Sequence, residues 1–147
     1  MIIDNSGYHN TSFSPKRLKR CVARVARNLK KLQKKVPFDA IAFRGVSGAA
    51  IAFPVSALTG LHLICVRKER NSHGNRVEGP SRSIKRYVIL DDFISSGKTI
   101  RAIYGAVKTV SRSESKCVGI CLYAGSYGSF KVAKLRGDNI FVEAYRV

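Results

Sequence analysis

The chain has 147 residues and carries 27 Lys and Arg against 9 Asp and Glu, a formal net charge of +18 at pH 7. This length favours one domain, and a hydrophobic content of 45% is that of a globular protein rather than a disordered or fibrous one. No run approaches the roughly 20 apolar residues of a membrane span. Residues 1–10 contain Asp4 and lack the basic segment and apolar stretch of a signal peptide. We therefore expect a cytoplasmic protein with no membrane partner.

The four cysteines lie at positions 21, 65, 117 and 121, without the C-x-x-C spacing of a zinc site. Three of them, Cys65, Cys117 and Cys121, fall in apolar, strand-like runs, where a free cysteine behaves as a small hydrophobic side chain. The sequence therefore supports neither a zinc site nor a disulfide framework.

The predicted elements alternate between helices and strands. Ser14 and Pro15 have the residue types of an N-cap and a first helical position, and the helix that they begin is predicted to run to about Lys35, before Pro37. The patterns then predict, in chain order, a strand at 38–43, a helix at 48–59 closed by Gly60, a strand at 61–66, a polar loop at 67–83, a strand at 86–91, a helix at 98–112, a strand at 116–123, a short helix near 129–135 and a strand at 139–145.

This alternation predicts a single α/β domain with a mostly parallel sheet covered by helices on both faces. Residues 1–36 form a basic, helical N-terminal segment of that domain, and residues 37–147 form its core. Ligands of such sheets bind beyond the carboxyl ends of the strands. We therefore expect the side chains at those ends to converge on one site.

The predicted N-terminal helix is strongly basic. Ten Lys and Arg lie between Lys16 and Lys35 with no acidic residue among them, while apolar residues from Leu18 to Val36 recur every three or four positions. One apolar seam would pack, and the rest of the surface would be basic. Two interpretations stay open: a solvated helix docked on the domain or on a second subunit, and a nucleic-acid-binding face at residues 16–35.

The most informative motif follows the predicted strand at 86–91. The apolar residues Val88 to Leu90 lead into Asp91 and Asp92, and a Ser-Ser-Gly-Lys-Thr turn then opens a helix. Backbone N–H groups of such a turn suit a phosphate. Two carboxylates beside a phosphate cradle indicate a ligand that also carries sugar hydroxyls or a metal ion.

A nucleoside-triphosphate P-loop is the obvious competitor, since Gly97-Lys98-Thr99 matches the end of G-x-x-x-x-G-K-[ST]. The first glycine of that motif would fall at Asp92, so the pattern fails.

The segment resembles the phosphoribosyl-pyrophosphate (PRPP) motif of the type I phosphoribosyltransferases. By this resemblance, Asp91 and Asp92 hold the ribose hydroxyls and, indirectly, a metal ion. The loop that holds the 5′-phosphate would consist of Ser95, Ser96, Gly97, Lys98 and Thr99.

Two further segments resemble the same family, in the family's order. The strand at 38–43 runs into an Arg-Gly-x-x-Gly turn, which is similar to the family's pyrophosphate loop. By this resemblance, Arg44, Gly45 and Val46 bind the pyrophosphate that leaves in the reaction. Residues 66–74 are similar to the flexible loop of orotate phosphoribosyltransferases. That second resemblance implies four catalytic residues: Arg67, Lys68, Arg70 and His73.

The chain also departs from the family's pattern. Asn71 stands where the orotate-type loop has its second lysine, and Ser95 stands where hypoxanthine-guanine enzymes have a catalytic aspartate. Members of the family usually recognise the base that they modify with a separate segment, the hood. In this chain the hood would be small, because only residues 1–36 and the tail after 124 could supply one.

The resemblance implies a magnesium-dependent pentosyltransferase that moves the 5-phosphoribosyl group of PRPP to a nitrogenous base and releases pyrophosphate. An orotate-like pyrimidine is the first expectation for the base and an adenine-like purine the second. A homodimer is implied as well, since the flexible loop of related enzymes reaches a neighbouring subunit. The alternative is a catalytically weak or inactive regulator, or an RNA-binding protein that uses the basic N-terminal helix.

Overall fold

The computed structural model describes residues 14–68, 75–112, 114–124 and 129–143. Its elements, in chain order, are α1 (Pro15–Gln33), β1 (Ala40–Arg44), α2 (Gly45–Thr59), β2 (His62–Val66), β3 (Val77–Glu78), β4 (Arg86–Asp91), α3 (Lys98–Val110), β5 (Lys116–Leu122), β6 (Phe130–Leu135) and β7 (Asp138–Glu143).

The strands form one seven-stranded sheet in the order β3-β2-β1-β4-β5-β7-β6. Strands β2, β1, β4, β5 and β7 pair in parallel, and the edge strands β3 and β6 pair antiparallel with their neighbours. The predicted α/β fold with a mostly parallel sheet is therefore confirmed.

Helices cover both faces of the sheet, as expected. Helices α1 and α2 pack on one face against side chains such as Ile41, Val88 and Leu90. Helix α3 packs on the other face, where Ile103 and Val107 meet apolar residues of the central strands. Because every central strand is covered twice, each has a nearly continuous apolar sequence.

Helix α1 forms as its apolar spacing predicts, with Pro15 at its start and its end at Gln33. Ser14 has the extended backbone of an N-cap but makes no side-chain capping hydrogen bond. The seam residues Val25, Leu29 and Leu32 are almost fully buried. Burial of this seam, at roughly 1.5–3 kcal/mol for each large apolar side chain, holds the helix on the sheet.

The helix predicted near 129–135 is wrong, because these residues form β6. Strand β6 pairs with β7 from Phe130↔Glu143 to Leu135↔Asp138. Arg136 and Gly137 join the two strands with positive φ angles of 48° and 95°. Positive φ at both central residues is typical of a two-residue type I′ hairpin. The glycine of this turn was the signal for a hairpin.

Other elements also differ from the predictions. Helix α2 begins at Gly45 rather than at residue 48. Strand β3 lies inside the segment predicted as a polar loop, and it pairs antiparallel with β2 through Val66↔Val77. Among the described residues, no helix is both long and apolar enough to cross a membrane.

The crossover connections place a crevice between β1 and β4. The chain leaves β1 toward β2 on one side and leaves β4 toward β5 on the other, so these adjacent strands are the switch point of the sheet. Ligands of open α/β sheets bind beyond the carboxyl ends of the strands at such a point. Strand β1 ends there at Arg44, and strand β4 ends there at Asp91.

Candidate functional site

Two buried carboxylates stand at the carboxyl end of the central strand β4. The Asp91 and Asp92 residues are only 5% and 6% exposed. Their carbonyl oxygens accept hydrogen bonds from the N–H groups of Tyr123 (3.1 Å) and Ala124 (2.9 Å), which continue the pairing of β4 with the chain after β5. The burial of β4 and these backbone hydrogen bonds together fix the positions of the two acids.

The acids also hydrogen-bond to the backbone around them. Asp91 Oδ1 accepts the N–H of Asp92 at 3.0 Å, and Asp92 Oδ1 accepts the N–H of Phe93 at 2.8 Å. Burial and, after it, the neighbouring Asp92 carboxylate raise the pKa of Asp91 to about 7, against the opposing charge of Lys68. A ligand that donates hydrogen bonds or brings a cation would favour the ionised carboxylate.

The loop after the acids leads into the N-terminus of α3. Gly97 is the N-cap of this helix with a φ of 72°, a conformation that favours glycine. The Lys98 N–H donates to Ser96 Oγ at 3.3 Å. Helix N-terminal N–H groups with the positive end of the helix dipole form a suitable site for a phosphate.

Arg101 is a cation at this loop that the sequence reasoning did not single out. Its Nη2 donates to the Ser96 carbonyl oxygen at 3.0 Å. A Cβ atom on Gly97 would lie 3.0 Å from Arg101 Nη1, so the glycine also leaves room for the guanidinium. The helical spacing of Arg101, one turn after Gly97, was the available signal.

A second turn joins β1 to α2 on the other side of the crevice. Gly45 has a φ of 71°, and a Cβ atom there would lie 2.7 Å from Lys68 Cε. The positive φ therefore favours glycine in this turn, and the end of the Lys68 side chain lies against it. Arg44 Nη2 donates to the Lys68 carbonyl oxygen at 3.3 Å, which ties the turn to the chain after β2.

The two acids and the turns at Gly45 and Gly97 border one cleft of about 410 Å³. Eleven of the fourteen site residues proposed from the sequence line it: Arg44, Gly45, Val46, Lys68, Asp91, Asp92, Ser95, Ser96, Gly97, Lys98 and Thr99. Anionic and cationic side chains thus share a cavity large enough for a small phosphorylated ligand.

Arg67 is described but does not line this cleft. Its guanidinium Nη2 lies 2.7 Å from Glu78 Oε1, across the β2–β3 pair. The Arg67 guanidinium is therefore paired with Glu78 and not with the acids. Arg70 and His73, the other two predicted catalytic residues, and Asn71 lie outside the described residues.

Tyr123 is a positioning residue that the sequence reasoning missed. Its hydroxyl donates to the Ser47 carbonyl oxygen at 2.9 Å, while its N–H donates to the Asp91 carbonyl oxygen at 3.1 Å. Arg24 of α1 donates to the Tyr123 carbonyl oxygen. Through its side chain and its backbone, Tyr123 therefore links the first turn of α2 to the end of β4. The hydroxyl contact spans 76 residues of sequence, and no local pattern indicates it.

The two acids fit a magnesium ion that is shared with a ligand. In the described part of the chain, no group of three or more His, Cys, Asp or Glu side chains could hold a metal by itself. Magnesium is often bound by one or two carboxylates together with substrate phosphates. Asp91 and Asp92 supply such oxygens beside the loop that suits a phosphate.

Comparisons with known proteins find similarity in part of the sequence and in the fold. No protein-family model matches the chain. The chain is 31% identical over 88 residues to the orotate phosphoribosyltransferase of Coxiella burnetii (strain RSA 493 / Nine Mile phase I), a match covering 58% of this chain and 42% of that relative. The match therefore spans less than half of the relative's length.

Solved phosphoribosyltransferases share the fold. An orotate phosphoribosyltransferase from Francisella tularensis superposes with a TM-score of 0.58 at 16% identity, covering 76% of this chain and 53% of that one. An adenine phosphoribosyltransferase from Saccharomyces cerevisiae gives a TM-score of 0.58 at 19% identity, covering 73% and 67%. The solved phosphoribosyltransferases therefore show the fold of this chain, and the sequence match adds a similarity to an orotate phosphoribosyltransferase over 88 residues.

Proposed function

We propose that the protein is a PRPP-dependent phosphoribosyltransferase that transfers the 5-phosphoribosyl group to a nitrogenous base and releases pyrophosphate. The observation that carries this proposal is the cleft itself. It combines two buried adjacent carboxylates, a helix N-terminal loop and a glycine turn flanked by Arg44 and Lys68. PRPP has matching parts: ribose hydroxyls, a 5-phosphate and a pyrophosphate.

The ribose would bind to the two acids. Asp91 and Asp92, ionised by the ligand, would accept hydrogen bonds from the 2′ and 3′ hydroxyls, and hydrogen bonds to charged groups are the stronger kind. The 5-phosphate would lie on the loop of residues 95–99, where the N–H groups at the start of α3 and the Lys98 side chain supply donors and positive charge.

The pyrophosphate would lie against the Arg44–Gly45 turn. As the bond from the ribose C1 to the pyrophosphate oxygen breaks and the bond to the base nitrogen forms, negative charge accumulates on the leaving group. Arg44 and Lys68 would stabilise that charge in the cleft. Arg67 could join them after release from Glu78, and Arg70 and His73 retain the catalytic roles implied by the family resemblance.

Asp91 and Asp92 would hold Mg²⁺ together with oxygens of the ligand. When bound, the ion neutralises charge on the pyrophosphate and ribose oxygens. The side chains of the chain itself orient the ribose and the phosphates around it.

The base that reacts is tested by a panel assay. Purified protein is incubated with PRPP and Mg²⁺ and, in turn, with orotate, adenine, guanine, hypoxanthine, xanthine and uracil, and pyrophosphate release is measured. We expect turnover with orotate first and adenine second, since the relatives with this fold include enzymes named for both bases. Absence of pyrophosphate release with every base would contradict the proposed transferase activity. It would favour the alternative, a catalytically weak or inactive regulator.

The regulator remains the second candidate because two observations favour it. Asn71 replaces a basic residue of the orotate-type loop, and the net charge of +18 far exceeds what one PRPP molecule requires. A protein that binds PRPP but turns over none of the bases would belong to this class.

We also propose a homodimer formed through α2. This helix of 15 residues contains no charged side chain, and its exposed residues outside the cleft include Phe53 (60%) and Leu58 (62%). Two chains of this net charge repel each other, so an uncharged apolar surface is where they can approach at least electrostatic cost.

Sedimentation equilibrium at micromolar concentration tests the dimer. The wild type is expected to give the mass of two chains, and Phe53→Lys/Leu58→Lys the mass of one, with unchanged circular dichroism. Val110→Lys, a change at an exposed apolar residue of α3, serves as the control and is expected to leave the mass of two chains. A wild type with the mass of one chain would contradict the proposal.

A further inference from the structure

The outward surface of α1 and its C-cap carries charge of a single sign. We call this surface the basic face, and its members are Lys16, Arg17, Lys19, Arg20, Arg27, Lys30, Lys31, Lys34 and Lys35, all exposed. At 3.6 residues per turn they lie within an arc of roughly 160°, and from Lys16 to Lys34 they extend about 27 Å. The basic face is therefore a long row of cations with one gap, between Arg20 and Arg27.

The rest of the described chain does not neutralise this row. The ion pairs among described residues are Arg67–Glu78 and Arg82–Asp39, and neither includes a member of the basic face. Three of the acidic residues, Asp91, Asp92 and Glu143, are buried in the interior or in the cleft wall. The field of the basic face thus reaches solvent.

The arrangement is unfavourable to the helix that carries it. Lys16 and Arg17 stand in the first turn of α1, where the helix dipole repels cations, and that turn contains no acid. Like charges also face each other four residues apart, as in Arg27 and Lys31. A helix that only faces solvent is more stable when acidic residues are interspersed among its basic ones. Helix α1 has no acidic residue and lacks this stabilisation. An anionic partner would offset both costs.

The chemistry of the basic face selects the kind of anion. A row of about 27 Å is longer than any single nucleotide, so it suits an extended polyanion. A membrane surface fits less well, because interfacial helices insert apolar side chains. The other exposed positions of α1 are Pro15, Ala23 and Gln33, and the apolar seam is buried against the sheet.

We propose that the basic face binds a nucleic acid through its phosphate backbone, without reading the base sequence. Lys and Arg contacts to phosphates supply affinity and position but no sequence information. No member of the basic face lines the cleft, so PRPP and the nucleic acid would use different side chains. The inference therefore goes beyond the proposed transferase activity.

The test is a salt titration by fluorescence anisotropy with the full chain. The probes are 20-nucleotide RNA and DNA of mixed sequence, single-stranded and duplex, at about 50 to 200 mM KCl, where a protein with several phosphate contacts loses orders of magnitude in affinity. The variant is Arg20→Gln/Arg27→Gln/Lys31→Gln/Lys34→Gln. The control variant is Lys85→Gln/Lys108→Gln/Lys116→Gln/Lys131→Gln, which removes the same charge from exposed positions outside α1.

We expect the α1 variant to bind at least tenfold more weakly at about 100 mM KCl and its salt slope to fall by about three, while the control stays within threefold of the wild type. The comparison of RNA with DNA, and of single strands with duplexes, identifies the preferred nucleic acid. Thermal unfolding of the α1 variant should be unchanged or shifted upward, because like-charge repulsion is relieved.

Equal losses in both variants would show an effect of net charge alone and would overturn the proposal. Affinity that is insensitive to salt would overturn it too, as would tighter binding to phosphatidylserine vesicles than to any nucleic acid. Pyrophosphate release by the α1 variant in the base panel should equal that of the wild type. Failure of this inference and failure of the transferase proposal are therefore distinguishable.

Discussion

Replacing Asp91 and Asp92 together with asparagine is expected to weaken PRPP binding by at least ~100-fold while leaving the fold intact. Each carboxylate would lose a charge-assisted hydrogen bond to a ribose hydroxyl, worth roughly 1.5–3 kcal/mol, and every 1.4 kcal/mol is tenfold in affinity. Isothermal titration calorimetry with PRPP and Mg²⁺ measures the loss. Glu114→Gln, a change at an exposed carboxylate far from the cleft, is the control and should bind as the wild type does.

The same double variant is expected to be more stable than the wild type near neutral pH, in EDTA and without ligand. Burial and Asp92 raise the pKa of Asp91 from 3.8 to about 7. Between pH 3.8 and 7 this carboxyl group is ionised in the unfolded chain but still protonated in the folded one. Its contribution to the free energy of unfolding is therefore fully present below pH 3.8 and is lost as the pH rises to 7. The free energy of unfolding of the wild type should therefore fall relative to the variant across that window, by about 1.4 kcal/mol for each unit of pKa shift.

Urea unfolding at several pH values between 4 and 8 measures this difference. Equal pH dependence in wild type and variant would contradict a raised pKa at Asp91. Retained PRPP affinity in the variant would contradict the assignment of the acids to the ribose, whatever the stability data show.

Replacing Lys68 with methionine is expected to lower kcat by about 100-fold, or ~2.7 kcal/mol of transition-state stabilisation. The ammonium group stands beside the Gly45 turn, where the pyrophosphate is proposed to leave. The charge of Lys68 also lowers the pKa of Asp91, so its removal should raise that pKa further. The midpoint of the pH profile for PRPP binding should then move to higher pH.

Steady-state pyrophosphate release and calorimetry at several pH values measure both effects. The matched control is Lys85→Met, which removes an exposed lysine outside the cleft and should change neither quantity. A variant at Lys68 with wild-type kcat and an unmoved pH midpoint would remove this residue from the proposed site.

Local patterns predicted most of the cleft because its parts are local. The strand β4, its two acids and the Gly97 turn into α3 occupy one continuous segment, in which an apolar run and a glycine determine the backbone directly. The turn at Arg44 and Gly45 is another such segment. Parallel strands then bring the two turns to the same edge of the sheet, as alternation of strands and helices predicts.

The features that the sequence did not reveal depend on distant parts of the chain. Tyr123 links the first turn of α2 to the end of β4 through contacts with Ser47 and Asp91, while its local sequence indicates only the end of an apolar strand. Arg67 is drawn away from the cleft by Glu78 because β3 pairs back on β2. Strand β6 is an edge strand with mostly exposed side chains. Its sequence therefore lacks a clear alternation of apolar and polar residues that would distinguish it from a helix.

The most direct measurement is a calorimetric titration of the wild-type protein with PRPP in the presence of Mg²⁺, followed by competition with ribose 5-phosphate and with inorganic pyrophosphate. If the cleft holds ribose phosphate at Asp91 and Asp92 and pyrophosphate at Arg44 and Lys68, PRPP binds at one site per chain and each fragment displaces it. Absence of PRPP binding, or PRPP binding that neither fragment displaces, would contradict this site.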